Sequence, residues 1–127
     1  MRSERQLRVG EEIRHALAAV FQRSDFHWPE DFTPPAAITV TEVRVSPDLR
    51  NATAYVMPLG GGNIAPLVKV LNGGIGFFRH VIAKEVKLRF VPNLTFAADE
   101  SFDYAKKIEG ILHDPSVAKD LNSEEKS

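Results

Sequence analysis

The chain has no cysteine among its 127 residues. That excludes a disulfide framework and any thiolate metal site, and it fits a reducing compartment. Long apolar runs are missing too, since none approaches the roughly 20 residues of a membrane span. Met1-Arg2-Ser3-Glu4-Arg5-Gln6 leads into an amphipathic pattern instead of a signal-peptide core, so a cytoplasmic protein with no membrane partner is expected. An excess of one charge is also lacking. The formal net charge is -1 and the pI is near 6.4. There is thus no global nucleic-acid signature, and any such role must rest on a local patch.

Signatures of bond chemistry are equally scarce. His15, His27, His80 and His113 are scattered, and no two have a metal-ligand spacing. There is no nucleophile elbow. The best carboxylate pair, Asp99-Glu100, opens a helix, where the macrodipole favours negative charge anyway. Gly60-Gly61-Gly62 lacks the following lysine and hydroxyl residue of a phosphate-binding loop, so a flexible turn is the better reading. No enzyme activity, cofactor or small-molecule substrate is expected.

What is present is an ordinary globular composition, 43% hydrophobic and 26% charged. One domain, residues 1–113, is expected. The tail 114–127 has too little apolar surface to offset its ordering entropy. Leu7, Ile13, Ala16, Leu17, Val20 and Phe21 recur at helical spacing in a first amphipathic helix. Its Arg2, Arg5 and Arg8 either belong to a solvated face or touch phosphates. Residues 24–36 hold three prolines and no periodicity, and form a loop. Phe26 and Trp28 either pin that loop to the core or stack on bases.

Residues 38–41 alternate as a strand, but the apolar phase then shifts to Val43 and Val45. A bulge near Thr41 and Glu42 explains the slip. After the turn Ser46-Pro47-Asp48-Leu49-Arg50-Asn51, extended structure resumes at 52–57, which makes an antiparallel hairpin. Asn63 is a candidate N-cap of a second helix, with Pro66 tolerated in its first turn.

That helix runs into Leu71-Asn72-Gly73-Gly74-Ile75-Gly76-Phe77-Phe78-Arg79. Apolar residues continue at helical spacing on both sides of three glycines, each costing a helix interior about 1 kcal/mol relative to alanine. A break or kink is therefore expected there, serving a sharp bend or a close approach. A third helix follows over 77–85. Residues 88–97 then lead into a strand with Pro92 near its start. Asp99 or Ser101 caps a last helix through Phe102, Ala105, Ile108, Ile111 and Leu112.

Between 79 and 89, Arg79, Lys84, Lys87 and Arg89 face a single acid, Glu85. This local excess follows directly on the glycine bend. It reads either as a solvated helix face with a charge-protected edge strand or as a phosphate contact beside exposed backbone N–H groups.

The run Ile38-Thr39-Val40-Thr41-Glu42-Val43-Arg44-Val45-Ser46-Pro47-Asp48-Leu49-Arg50, the strand 52–59, and the stretch from Leu71-Asn72 to Arg79 resemble the ribosome-binding factor A family. So do Leu94-Thr95-Phe96 and Asp99-Glu100-Ser101 with Tyr104, and the likeness spans about residues 5 to 112. The resemblance implies an α+β, type II KH-like domain in the order α-β-β-α-kink-α-β with a C-terminal helix. Its three-stranded sheet would carry the helices on one face. In KH domains a Gly-x-x-Gly loop clamps a nucleic-acid backbone. This family replaces it with a small-x-Gly kink, which falls on Gly74-Ile75-Gly76.

The resemblance also implies a monomer that associates with the free small ribosomal subunit, through ribosomal RNA and ribosomal proteins. It would assist late maturation of that RNA, including the 5′ end region, and act in cold adaptation. The alternative is a general KH-like single-stranded nucleic-acid module. The RNA-binding residues expected are Gly74, Ile75, Gly76, Arg79, Lys84, Lys87 and Arg89, with Arg44, Arg50, Arg5 and Arg8 in support. Three departures from the family stand out: Gly74 replaces the usual alanine, the Trp28 loop is longer, and the basic character is modest, so contacts are expected to concentrate on the bent-helix face. On this footing Gly74→Ala is expected to be mild and Gly76→Val damaging.

Overall fold

The computed structural model of the protein describes residues 2–59 and 63–100. Its first helix, α1, is Glu4–Arg23. Ser3 Oγ accepts from the Gln6 backbone N–H at 3.1 Å, and Gln6 Oε1 accepts from the Ser3 N–H at 2.8 Å. This reciprocal capping box satisfies two N–H groups that a helix start otherwise leaves unpaired. Ile13, Ala16, Leu17 and Val20 are buried, as their spacing predicts. Leu7 does not lead that stripe, being 50% exposed. Gln6, Val9 and Gly10 begin the buried face instead. Gln6 belongs there because its Nε2 donates to Val45 O at 2.8 Å, so the buried amide is paired.

Gly10 sets how closely α1 lies on the sheet. A Cβ at this position would stand 2.5 Å from Val43 O. Only a residue without a side chain lets helix and strand backbones approach this far.

Strands β1 (Ala37–Val45) and β2 (Asn51–Leu59) pair antiparallel, with the register shift between Val40 and Glu42 that the apolar phase slip predicts. Strand β3 (Asn93–Ala98) runs parallel to β2, giving the order β1-β2-β3. A parallel pair needs a crossover. Helices α2 (Ile64–Gly73) and α3 (Ile75–Glu85) provide it. Asn63 caps α2 as expected, its side chain accepting from the Ala65 N–H at 3.4 Å.

One sheet face presents Val40, Val43, Ala54, Val56, Leu94 and Phe96 to a core completed by Ile13, Leu17, Leu67, Leu71, Phe78 and Ile82. The helices therefore lie on one side of the sheet, in an α+β, type II KH-like arrangement. Asn72 ties the crossover to the edge of β3. Its Nδ2 donates to Phe96 O at 3.0 Å, and its Oδ1 accepts from the Phe96 N–H at 2.8 Å. A side-chain amide thus stands in for a fourth strand and satisfies a peptide on an open edge.

The strand expected over 88–97 is shorter: residues 88–92 are not strand, and β3 begins only at Asn93. Pro92 has no N–H for a ladder, and pairing resumes where the Asn93 N–H meets Arg50 O at 2.8 Å. The last predicted helix and the tail lie outside the described residues.

Candidate nucleic-acid interface

The bend falls where the glycines place it. Gly74 ends α2 and starts α3, with φ -107 and ψ 24. Its N–H bonds to Leu71 O at 3.0 Å, and its carbonyl accepts from Phe77 at 3.1 Å. This tight turn re-aims the helix so that Phe78 enters the core. There it meets Phe26 and Phe96 at ring separations of 4.8 Å and Phe21 at 5.7 Å.

The three glycines are not equivalent. At Gly74 a Cβ would meet Phe26 Cε1 at 2.6 Å, whereas at Gly73 and Gly76 it would meet nothing within 4 Å. Phe26 is itself wedged against Phe77, Phe78 and Trp28. A ring from the 24–36 loop thus fills the space that a Cβ at Gly74 would take. Phe26 and Trp28 pin the loop, since Trp28 also stacks on Phe32 and Phe21. The expected order of the glycine substitutions is reversed. Gly76 is exposed with open space around it, and Gly74 is the crowded position.

Arg79 follows the bend and turns inward. Its Nε donates to Pro92 O at 3.1 Å and its Nη2 to Val91 O at 3.0 Å. These charge-assisted bonds fasten the 86–92 loop, which carries Lys87 and Arg89. Lys84 lines a groove of about 810 Å³ between α1 and α3. Arg23 and Lys84 share that groove with Glu12, Asp25 and Glu85, so its charge is mixed. Ile75 is half-buried against the core.

A second cleft lies at the other end of the domain, between the 46–50 turn and the 86–92 loop. The turn is built by Asp48, whose Oδ1 accepts from Ser46 Oγ at 2.6 Å and from the Arg50 N–H at 3.0 Å. Ser46 Oγ in turn accepts from the Asn51 N–H at 3.0 Å. The Ser46 hydroxyl, followed by the Arg50 N–H, holds the Asp48 carboxyl below the usual carboxylate range. Leu49 has φ 62, a left-handed conformation that side chains with a Cβ resist. The strain is carried by this network and by packing of Leu49 on the core.

The turn lifts Arg50 so that its guanidinium lies 4.8 Å from the Phe90 ring centre. Arg5 from α1, Arg50 and Arg89 line this cleft of about 280 Å³, with Asp48 the only acid among the described residues that line it. Three guanidinium groups from three separate parts of the chain thus converge at one pole. Lys87 is exposed on the same loop.

The remaining candidates stand apart. Arg44 is exposed on the open sheet face, with its Nε 3.0 Å from Glu42 Oε2 and its guanidinium 5.8 Å from the Tyr55 ring centre. Arg2 Nη1 reaches the same Glu42 oxygen at 3.1 Å. Hydrogen bonding from Arg44 first, then from Arg2, lowers the Glu42 carboxyl. Arg8 is exposed on α1 and lines neither cleft. Phe90 falls within the 88–97 stretch expected to lead into a strand, where a side chain alternates between faces and is not singled out as a ligand contact. The signal available was an aromatic preceded by Lys87 and Arg89 and standing two residues before a proline. No group of side chains suited to a metal ion occurs among the described residues. None of their helices is long and apolar enough to cross a membrane.

Residues 5–112 match the family profile described as ribosome-binding factor A. A ribosome-binding factor A from Paramagnetospirillum magneticum is 53% identical over 120 residues, covering 94% of this chain and 83% of the relative. The chain belongs to the ribosome-binding factor A family. The fold agrees: the crystal structure of ribosome-binding factor A from Thermus thermophilus superposes with a TM-score of 0.58 at 22% identity, over 73% of this chain and 94% of that one. A homology model of the Thermus thermophilus factor, fitted into a cryo-EM map of its complex with 30S, gives 0.56 at 22% identity, over 72% and 91%. The family match covers both the bend and the pole.

Proposed function

We propose that this chain is an assembly factor that binds the free small ribosomal subunit as a monomer in the cytoplasm. It assists late maturation of the subunit's RNA, including the 5′ end region, and supports growth in the cold. Family membership over residues 5–112 carries the reading. The structure adds a physical means: Arg5, Arg50 and Arg89 around one cleft form a local cationic surface on a chain of formal net charge -1. Such a surface engages the phosphate backbone while the rest of the molecule stays neutral enough not to bind RNA indiscriminately.

The mechanism is occupancy. A bound factor holds RNA elements apart until processing is complete, and no bond is made or broken. Arg79 acts indirectly, by fixing the loop that presents Lys87 and Arg89.

Co-sedimentation with purified small and large subunits, and with naked single-stranded RNA, tests this over a salt series. Retention is expected on small subunits, with log affinity falling linearly against log salt. Equal affinity for naked strands and subunits would replace this reading with a general single-stranded nucleic-acid module. Mapping RNA 5′ ends in cells lacking the protein tests the processing step. Unprocessed ends should accumulate, most strongly after a shift to low temperature.

A further inference from the structure

We infer that the cleft between the 46–50 turn and the 86–92 loop is a stacking site for one unpaired nucleotide of an RNA strand, with Phe90 as the platform. The inference rests on the proposed RNA binding and adds a specific recognition chemistry to it. Phe90 is 56% exposed although it is a large apolar side chain beside a well-filled core. Its one described ring partner is the Arg50 guanidinium at 4.8 Å, a flat cation on a flat ring. Arg5 and Arg89 line the same space, and Asp48, the one acid among the described lining residues, already accepts from Ser46 Oγ and the Arg50 N–H through Oδ1.

A ligand that satisfies this cleft needs a planar aromatic group for the ring and guanidinium, and an anion for the other arginines. A nucleotide carries both. It must be unpaired, because bases in a duplex have their faces covered by neighbours and present edges and phosphates instead. The volume agrees: about 280 Å³ is at the small end of ligand sites and suits one nucleotide. The platform is also held in place. Arg79 fastens Val91 and Pro92 directly after Phe90, and Arg50 O accepts from the Asn93 N–H at 2.8 Å, so the two walls are tied together.

Short RNA strands containing 2-aminopurine report stacking by fluorescence quenching, and the full chain is used throughout. Stacking on an aromatic contributes about 1–3 kcal/mol per base, so Phe90→Ala should weaken single-strand binding by roughly 5- to 150-fold and abolish quenching. Phe90→Trp should retain both, and neither change should alter the salt slope, since no phosphate contact is lost. Because Phe90 is exposed, both variants should keep the wild-type melting temperature. The inference is overturned if Phe90→Ala quenches and binds like wild type, if blunt duplex RNA binds as tightly as the single strand, or if free adenosine monophosphate does. Co-sedimentation separates this from the parent proposal. If the wild-type chain ignores small subunits, the ribosomal reading fails, while Phe90-dependent quenching on the free strand still decides the stacking site.

Discussion

The glycine bend and the pole at the 46–50 turn differ in how their residues are brought together. At the bend, everything that matters is contiguous: α2, Gly74 and α3 follow one another, and the apolar spacing on either side predicts the kink. At the pole, Arg5, Arg50 and Arg89 are far apart in the chain and meet only because α1 lies on β1 and β3 starts beside the turn. The bend is packed by Phe26 and Phe78. The pole is where cationic groups and an exposed ring share one cleft. The proposed RNA contact therefore rests on the dispersed feature, where cations and a ring share one cleft.

The strongest attempt to break this contrast compares charges at the two places. Replacing Arg5, Arg50 and Arg89 together by alanine should lower small-subunit affinity by about a hundredfold and flatten the salt slope by roughly 2, as expected for lost phosphate contacts. Lys84→Ala, in the mixed-charge groove, should change the slope by less than 1. If Lys84→Ala has the larger effect in co-sedimentation, the groove beside the bend is the RNA face.

A smaller effect sharpens the packing side. Gly74→Ala drives a methyl into the Phe26 ring and should cost roughly 1–3 kcal/mol, the range for overpacking a filled site. Gly76→Ala meets open space inside α3 and should stabilise by up to about 1 kcal/mol. Thermal melting of the pair decides the matter, and equal melting temperatures would remove Phe26 from the account of the bend.

The smallest effect concerns pH. The Asp48 carboxyl is lowered by Ser46 and the Arg50 N–H, so its contribution to stability is present above its unfolded pKa, about 4, and is lost as pH falls through the lower folded value. Acid should loosen the turn that positions Arg50. Asp48→Asn should be slightly less stable at neutral pH and show a shallower loss on acidification. Melting curves from about pH 7 to about pH 3 would show this, and parallel curves for the two proteins would detach the turn from Asp48.

Local chemistry was readable residue by residue. Helical spacing placed α1, α2 and α3, the phase slip at Glu42 located the bulge, and Asn63 and the glycines marked helix boundaries. Each depends on neighbours within a few positions, where periodicity and capping act. The 86–92 segment shows the limit. Its alternation of apolar and basic residues looks like a strand, but strand state requires a partner, and Pro92 together with the inward grip of Arg79 denies it one.

What the sequence determined by itself was the described helices and strands, the kink and the family, because these are written in spacing and contiguous motifs. Tertiary structure alone decided that Gly10 admits Val43 O, that Asn72 closes the edge of β3, that Gly74 is crowded and Gly76 free, and that Phe90 stands open among three arginines. Those facts depend on how close two distant backbones come. Distance of that kind is set by the packing of the whole core and has no local signature.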